Sequence, residues 1–280
     1  MPRQGEDMSQ EPESRGGQKP TAAQAFDRHY ESRFADRWPK LRAALLMPPT
    51  RVAYAAGLQA PYYLDEASVA AANALPLDGG NRVVDFCAAP GGKTLVLAGR
   101  LPQGASLISN ERSSARRARL HRVLDEHLCA ERRAHISVTG HDATRWGVVQ
   151  PESCDRILLD VPCSSERHVM HNPTHLARWS ASRSPRLAIQ AFAMLAAAID
   201  ALVPQGYVLY VTCALSDTEN DDVIAKAFRK RAGIIESVPV KLPWGEPTAY
   251  GVQVLPDTAD GRGPLYVSLL RKIGSNSPFA

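Results

Sequence analysis

An α/β domain built on a central, mostly parallel sheet is the fold class this sequence predicts, and three observations predict it. After a turn at Asp78-Gly79-Gly80, short apolar runs alternate with helical stretches to near the end of the chain, the pattern of strands joined by crossover helices. The first run ends at Asp85 and breaks into a small loop, Cys87-Ala88-Ala89-Pro90-Gly91-Gly92-Lys93-Thr94, before a helix begins. Open parallel sheets hold ligands at such carboxyl-terminal strand ends. Finally, 280 residues with 44% hydrophobic content supply the core of one large domain, or of one domain with an appendage.

The elements follow in order. Residues 1–20 begin Met1-Pro2-Arg3-Gln4-Gly5 and stay polar through Lys19, which predicts a disordered tail. They lack the apolar stretch of a secretory signal, and Glu6, Asp7, Glu11 and Glu13 argue against a mitochondrial transit peptide. Residues 21–78 form a predicted helical extension carrying Phe26, Tyr30, Phe34 and Trp38, interrupted by Pro48-Pro49 and by the extended-looking Pro61-Tyr62-Tyr63-Leu64. In the main domain, 79–273, strands are predicted near Val83 to Asp85, Ser106 to Ser109, Ile136 to Val138, Ile157 to Leu159, Tyr207 to Val211 and Tyr266 to Leu270. Helices are predicted over Thr94 to Ala98, Ser113 to Cys129, Arg186 to Leu202 and Thr218 to Arg231, with a closing tail over 274–280. No internal repeat is present. No run approaches the roughly 18 apolar residues of a membrane span, so no membrane partner is expected.

Charge narrows function less than the cysteines do. A net charge of +4 and a pI near 8.8 permit a nucleic-acid partner without the strong basic footprint that would demand one. The five cysteines lie far apart with no CxxC pair, so neither a disulfide framework nor a metal site is read from their spacing. Reduced thiols in the cytoplasm are expected.

In the loop after Asp85, Gly91 and Gly92 allow close backbone approach to a ligand, and the following helix offers free amides to an anionic group. Gly92-Lys93-Thr94 ends like a phosphate-binding loop, but Cys87 stands where that pattern places its first glycine, and Asp85 would repel phosphates. Glu111, about twenty residues after the glycines, sits where an acid accepts hydrogen bonds from a ribose diol. Taken alone it serves equally well as a first-turn helix acid. Asp142, in Gly140-His141-Asp142, suits either an adenine amino group or the cap of a turn. A ribose acid without a pyrophosphate fingerprint fits S-adenosylmethionine better than NAD.

Two cysteines end two separate apolar runs: Cys163 in Asp160-Val161-Pro162-Cys163 and Cys213 in Tyr210-Val211-Thr212-Cys213. Either one alone reads as packing, as do Cys129 and Cys154. Two thiols at neighbouring strand ends beyond a cofactor loop read as a reacting pair. Carbon 5 of a pyrimidine is a poor nucleophile toward a methyl sulfonium, and a thiolate added at carbon 6 makes it enamine-like. A base must then remove the proton at carbon 5 so that the thiolate can leave. Asp160 is placed to bond the amino group and ring nitrogen 3 of the base, and Pro162 turns the chain so that Cys163 overhangs the sheet edge.

With these residues assembled, the chain resembles the Sun/Nop/RsmB-like family of S-adenosylmethionine-dependent RNA cytosine-C5 methyltransferases, from about Phe26 to Lys272. The strongest matches are Asp85 to Thr94, Asp160 to Cys163, and Thr212-Cys213 followed by Leu215-Ser216 and Glu219-Asn220. Phe26-Asp27 through Trp38-Pro39, Leu45-Leu46 and Asp160 through His168 are similar to a compact branch of mitochondrial ribosomal-RNA enzymes. The resemblance implies a Rossmann-like methyltransferase domain. It also implies that Cys213 is the nucleophile, that Cys163 assists release and that Lys93 tunes Asp160. Cys87, Ala88, Ala89, Pro90, Gly91, Gly92 and Lys93 would hold the methionine part, with Glu111 on the ribose, Asp142 near the adenine, and Asp160 and the family arginine Arg116 beside the cofactor.

The chain is expected to lack the full amino-terminal RNA-binding domain, and the added carboxyl-terminal one, of larger relatives, which leaves substrate selection open. The segment 167–186 is an expected RNA strip, with Arg167, His168, Arg178 and Arg183 for phosphates and Trp179 for stacking. A solvated active-site loop is its competitor. The expected activity is methylation of a cytidine in structured, ribosomal RNA by a monomer, with a ribosomal or specificity protein as a possible partner. A transfer-RNA enzyme and a ribosome-assembly factor with incidental methylation are the alternatives.

Overall fold

The computed structural model describes residues 20–274. The expected tails therefore lie, apart from Pro20 and Gly274, outside the described residues. Strands β1 (Arg51–Tyr54) and β2 (Tyr62–Asp65) form an antiparallel hairpin. The main sheet comprises β3 (Arg82–Phe86), β4 (Ser106–Asn110), β5 (Ile136–Thr139), β6 (Cys154–Asp160), β7 (Leu202–Thr212), β8 (Ile235–Val238), β9 (Gly245–Pro247), β10 (Val252–Val254) and β11 (Leu265–Lys272).

Their order across the sheet is β5-β4-β3-β6-β7-β11-β10-β9, with β8 also paired to β11. The first five strands in that order run parallel, and β11 joins β7 antiparallel. Strand order reverses between β3 and β6, which creates the crevice where such sheets bind ligands. Helices cover both faces, so β3, β6 and the second half of β7 are almost wholly buried, with apolar stretches such as Ile157 to Leu159 and Val208 to Val211. The predicted mostly parallel α/β fold with an amino-terminal extension is what the chain adopts, and all six predicted strands are present.

The extension carries its helices plus the β1–β2 hairpin. Helix Ala22–Phe34 starts in a capping box: Thr21 Oγ1 accepts from Gln24 N at 3.2 Å, and Gln24 Oε1 accepts from Thr21 N at 2.9 Å. Phe26 and Tyr30, one turn apart, bury one stripe of it against Trp38, Leu41, Leu45, Val169 and Trp179. Val169 and Trp179 follow the first thiol in sequence, so the extension packs directly onto the active-site loops.

Candidate active site

Every candidate chemical group sits at the carboxyl edge of the parallel strands. After β3 the chain turns through Cys87 (φ 63°) and Gly91 (φ 119°), both in the left-handed region, into helix Gly92–Gly99. A side chain at Gly91 would press on Val123 and Leu120 at 3.0 and 3.1 Å, so glycine answers both the conformation and the space. Arg116 fastens this loop by donating from Nη2 to Ala89 O at 2.6 Å. The Cys87 thiol is pushed up to about 12, first by burial and then by Asp160 and Glu111, which makes it an inert lining group.

Two buried carboxylates are only half satisfied. Asp85 accepts from Thr94 Oγ1 at 2.6 Å through one oxygen, while its other oxygen has no hydrogen-bond partner. Glu111 accepts from Ser113 N at 2.8 Å through Oε1, and its buried Oε2 makes no hydrogen bond, with Arg116 Nη1 3.4 Å away. Buried acceptors of this kind are normally paired, so both are suited to donors brought by a ligand. Asp85 lines a cavity of about 140 Å³ together with Tyr62, Ser68, Cys87 to Pro90, Lys93 and Asp160. Asp142 instead caps the short turn after β5, where Thr144 N and Oγ1 donate to it and hold its carboxyl below the usual range. It borders a separate recess of about 280 Å³ with His141 and Trp146.

Burial raises the Asp85 carboxyl from an ordinary 3.8 to about 7. The unfolded chain gives up that proton first, so the group subtracts stability as pH rises from about 4 to 7, a loss on the order of a few kcal/mol. Asp85→Asn is therefore expected to raise the melting temperature of the ligand-free protein at pH 8 and to leave it nearly unchanged at pH 4. Parallel thermal melts at the two pH values check this.

The thiols meet because β6 and β7 are parallel neighbours in register, with Asp160 opposite Val211 and Val161 N donating to Val211 O at 3.0 Å. Cys163 Sγ and Cys213 Sγ are 2.8 Å apart, and Cys213 N donates to Cys163 Sγ at 3.3 Å. Ser165 (φ 54°) turns its hydroxyl between them, 3.4 and 3.2 Å from the two sulfurs. The hydrogen bond to Cys213 comes first, burial second and repulsion by a Cys213 thiolate third in holding the Cys163 thiol well above its ordinary pKa. Either sulfur can donate to the other across this contact. Lys93 Nζ donates to Asp160 Oδ2 at 2.8 Å. Although burial alone would lower the lysine, Asp160 and Cys213 together raise it, so it remains charged beside both.

A buried network supports the thiol loops. Glu166 accepts from Tyr30 Oη at 2.5 Å, from Leu215 N at 3.0 Å and from Ser164 Oγ. Glu219 accepts from Ser164 N at 2.8 Å, and Asn220 binds Thr212 Oγ1 and Ala214 O at 2.6 and 3.0 Å. Sequence reasoning gave no role to Tyr30, Ser165 or Glu166. A charged residue three positions after a motif cysteine was the one signal available for Glu166.

The expected RNA strip divides. Arg167 is half-buried, and its guanidinium donates to the carbonyls of Ala44, Leu45, Gly261 and Gly263, clamping the extension to the last hairpin. Four of its five N–H donors are spent inside the protein, so although it lines the larger cleft its expected use on phosphate is corrected to a clamp. Trp179 is buried edge-on against Phe26 at 5.2 Å, so its expected stacking role is also corrected. His168 is exposed and lines a larger cleft with Cys213, whereas Arg178 and Arg183 are not among the residues lining that cleft.

A methyltransferase-type sheet carrying a paired-thiol edge is the class that fold and site define. The family described as 16S rRNA methyltransferase RsmB/F matches residues 72–271, and the chain belongs to that family. It is 37% identical over 186 residues to the 5-cytosine rRNA methyltransferase NSUN4 of Bos taurus, covering 64% of this chain and 47% of the relative. It is 30% identical over 256 residues to the mitochondrial tRNA (cytosine(34)-C(5))-methyltransferase of Mus musculus, covering 87% and 70%. Against the ribosomal RNA small subunit methyltransferase F of Erwinia tasmaniensis the identity is 32%, over 78% of this chain and 46% of the relative. The chain spans about half the length of the first and third of these. A solved methyltransferase homologue from Pyrococcus horikoshii shares the fold with a TM-score of 0.70 at 19% identity, over 89% of this chain and 94% of that one.

Proposed function

We propose that the protein transfers a methyl group from S-adenosylmethionine to carbon 5 of a cytidine in ribosomal RNA through a covalent Cys213 adduct. The observation that carries this reading is the Cys163–Cys213 contact of 2.8 Å, set at adjoining strand ends beside Asp160. The cofactor would supply an electrophilic methyl group. The half-satisfied Asp85, with the cavity it lines, and the half-satisfied Glu111 suit its cationic and ribose groups, with Arg116 fixing the loop and Asp142 on the adenine side.

The chain's own groups account for the rest. Cys213 attacks carbon 6 while Asp160, anchored by Lys93, accepts from the amino edge of the cytosine. Once Cys213 is bonded to carbon, its hydrogen bond to Cys163 and its repulsion of a Cys163 thiolate are gone, and burial and Asp160 alone still favour the Cys163 proton. That proton passes to water in the cleft, and the Cys163 thiolate takes the proton from carbon 5. The electron pair forms the 5,6 double bond, the carbon–sulfur bond breaks and Cys213 leaves as thiolate. Both thiols are then as they began, and one proton has been released per methyl transferred.

Ribosomal RNA is favoured over transfer RNA by the names of the NSUN4 and small-subunit relatives, and the transfer-RNA relative, aligned over more of the chain, supports the second reading. Monomeric action in the cytoplasm, with a ribosomal or specificity protein helping to select the target, belongs to the same proposal. Five unpaired cysteines suit a reducing compartment. His168 faces the substrate, and Arg178 and Arg183 form an outer strip for its phosphates.

Incubation of the protein and labelled cofactor with separate unmodified ribosomal and transfer RNA pools tests the reading. Label in 5-methylcytidine of ribosomal RNA supports it, and label confined to transfer RNA replaces the substrate. If growth or subunit assembly in a deletion strain is rescued fully by Cys213→Ala, the assembly-factor alternative takes its place.

A further inference from the structure

The cleft containing Cys213 is far larger than the slot behind it, about 800 Å³ against about 140 Å³, and the two share Tyr62, Leu64, Ser68, Pro90, Lys93 and Asp160. Its outer wall is the β1–β2 hairpin. Ala53 pairs with Tyr63 and Arg51 with Asp65, so Arg51 and Tyr63 share one face of the hairpin. The opposite face carries Tyr62 and Leu64, which pack over Gly92; a side chain at Gly92 would meet them at 3.1 and 3.2 Å. The hairpin is thereby fixed on the cofactor loop, and Tyr63, 65% exposed, is held at the cleft.

The same cleft is lined by Arg119, on helix Ser114–His127. Arg51 and Arg119 are exposed, and among the described residues neither makes an ion pair or a side-chain hydrogen bond. The acids of the cleft are engaged: Asp65 accepts from Ala67 N and Gly263 N, and Asp160 is paired with Lys93. An exposed aromatic ring and two free cations that line one cleft with Cys213 match the chemistry of a single-stranded nucleic acid, whose bases stack and whose phosphates need cations.

We propose that Tyr63 is a stacking platform for a nucleotide flanking the target cytidine, with Arg51 and Arg119 on the adjoining phosphates. The RNA reading above underlies this assignment, and the hairpin, rather than segment 167–186, becomes the inner recognition surface.

The test measures binding of a fluorescein-labelled single-stranded oligocytidylate and steady-state methylation of unmodified ribosomal RNA. Tyr63→Ala is expected to raise both the oligonucleotide Kd and the RNA KM about tenfold, with the KM for S-adenosylmethionine unchanged and with Tyr63→Trp close to wild type. The double variant Arg51→Ala, Arg119→Ala is expected to flatten the dependence of log affinity on log salt by about 1.4, about 0.7 for each phosphate contact on a single strand. Wild-type Kd and KM in Tyr63→Ala, or equal losses in the alanine and tryptophan variants, would overturn the platform. So would a Tyr63→Ala protein that loses only a protein partner. Tyr63-dependent binding by a wild-type protein that methylates no RNA would uphold the platform and overturn the proposed chemistry instead.

Discussion

Replacing Cys213 by alanine is expected to lower methyl transfer by at least about a thousandfold while cofactor affinity stays at the wild-type level. The size follows from removal of the proposed nucleophile, since without addition at carbon 6 the pyrimidine carbon 5 is too poor a nucleophile to take the methyl group. Cofactor affinity is insulated because the half-satisfied carboxylates Asp85 and Glu111 and the loop from Cys87 to Gly92 belong to β3, β4 and the turn between them, whereas Cys213 ends β7. Isothermal titration with the cofactor and single-turnover methylation separate the two quantities. Parallel loss of both would mean that Cys213 holds the site together rather than reacting.

The second large effect is expected at a residue that need touch no substrate. Glu166 is fully buried and satisfies donors from three places: Tyr30 on the first helix, Ser164 beside one thiol and Leu215 two residues after the other. Glu166→Ala strands those neutral donors and leaves a cavity, at a cost of about 1–3 kcal/mol for each buried group left unpaired. Thermal or urea unfolding is expected to show that loss. In the fraction that remains folded at low temperature, kcat is expected to fall with little change in the KM for cofactor, because both thiol loops lose their shared anchor. Tyr30→Phe removes one donor only and serves as the milder companion. A stable Glu166→Ala protein with a wild-type kcat would remove the network from the account.

The parallel half of the sheet was legible in the sequence because buried strands are apolar runs, as in Ile157 to Leu159 and Val208 to Val211. The hairpin β1–β2 and strands β8, β9 and β10 were not. They span three or four residues, β9 carries Gly245 and Pro247, and β8 owes its form to an antiparallel partner distant in sequence, Ile235 pairing with Lys272. The thiols, Asp160 and the glycine loop stood out because their positions break apolar runs at strand ends. Glu166, Ser165 and Tyr63 did not, since each acts through what it meets across the fold. Arg167 was misread for the same reason: an arginine beside a reactive loop looks like a phosphate ligand until its four carbonyl partners are known.

The central claim is the division of labour between the two thiols, and trapping the adduct tests it most directly. Cys163→Ala protein incubated with unmodified ribosomal RNA and cofactor is expected to accumulate a denaturation-resistant protein–RNA complex, which disappears when Cys213 is also replaced. Sequencing the trapped RNA would then identify the target nucleotide. Efficient turnover without adduct in Cys163→Ala, or adduct that persists in the double variant, would contradict the assignment of Cys213 as nucleophile and Cys163 as the base that frees it.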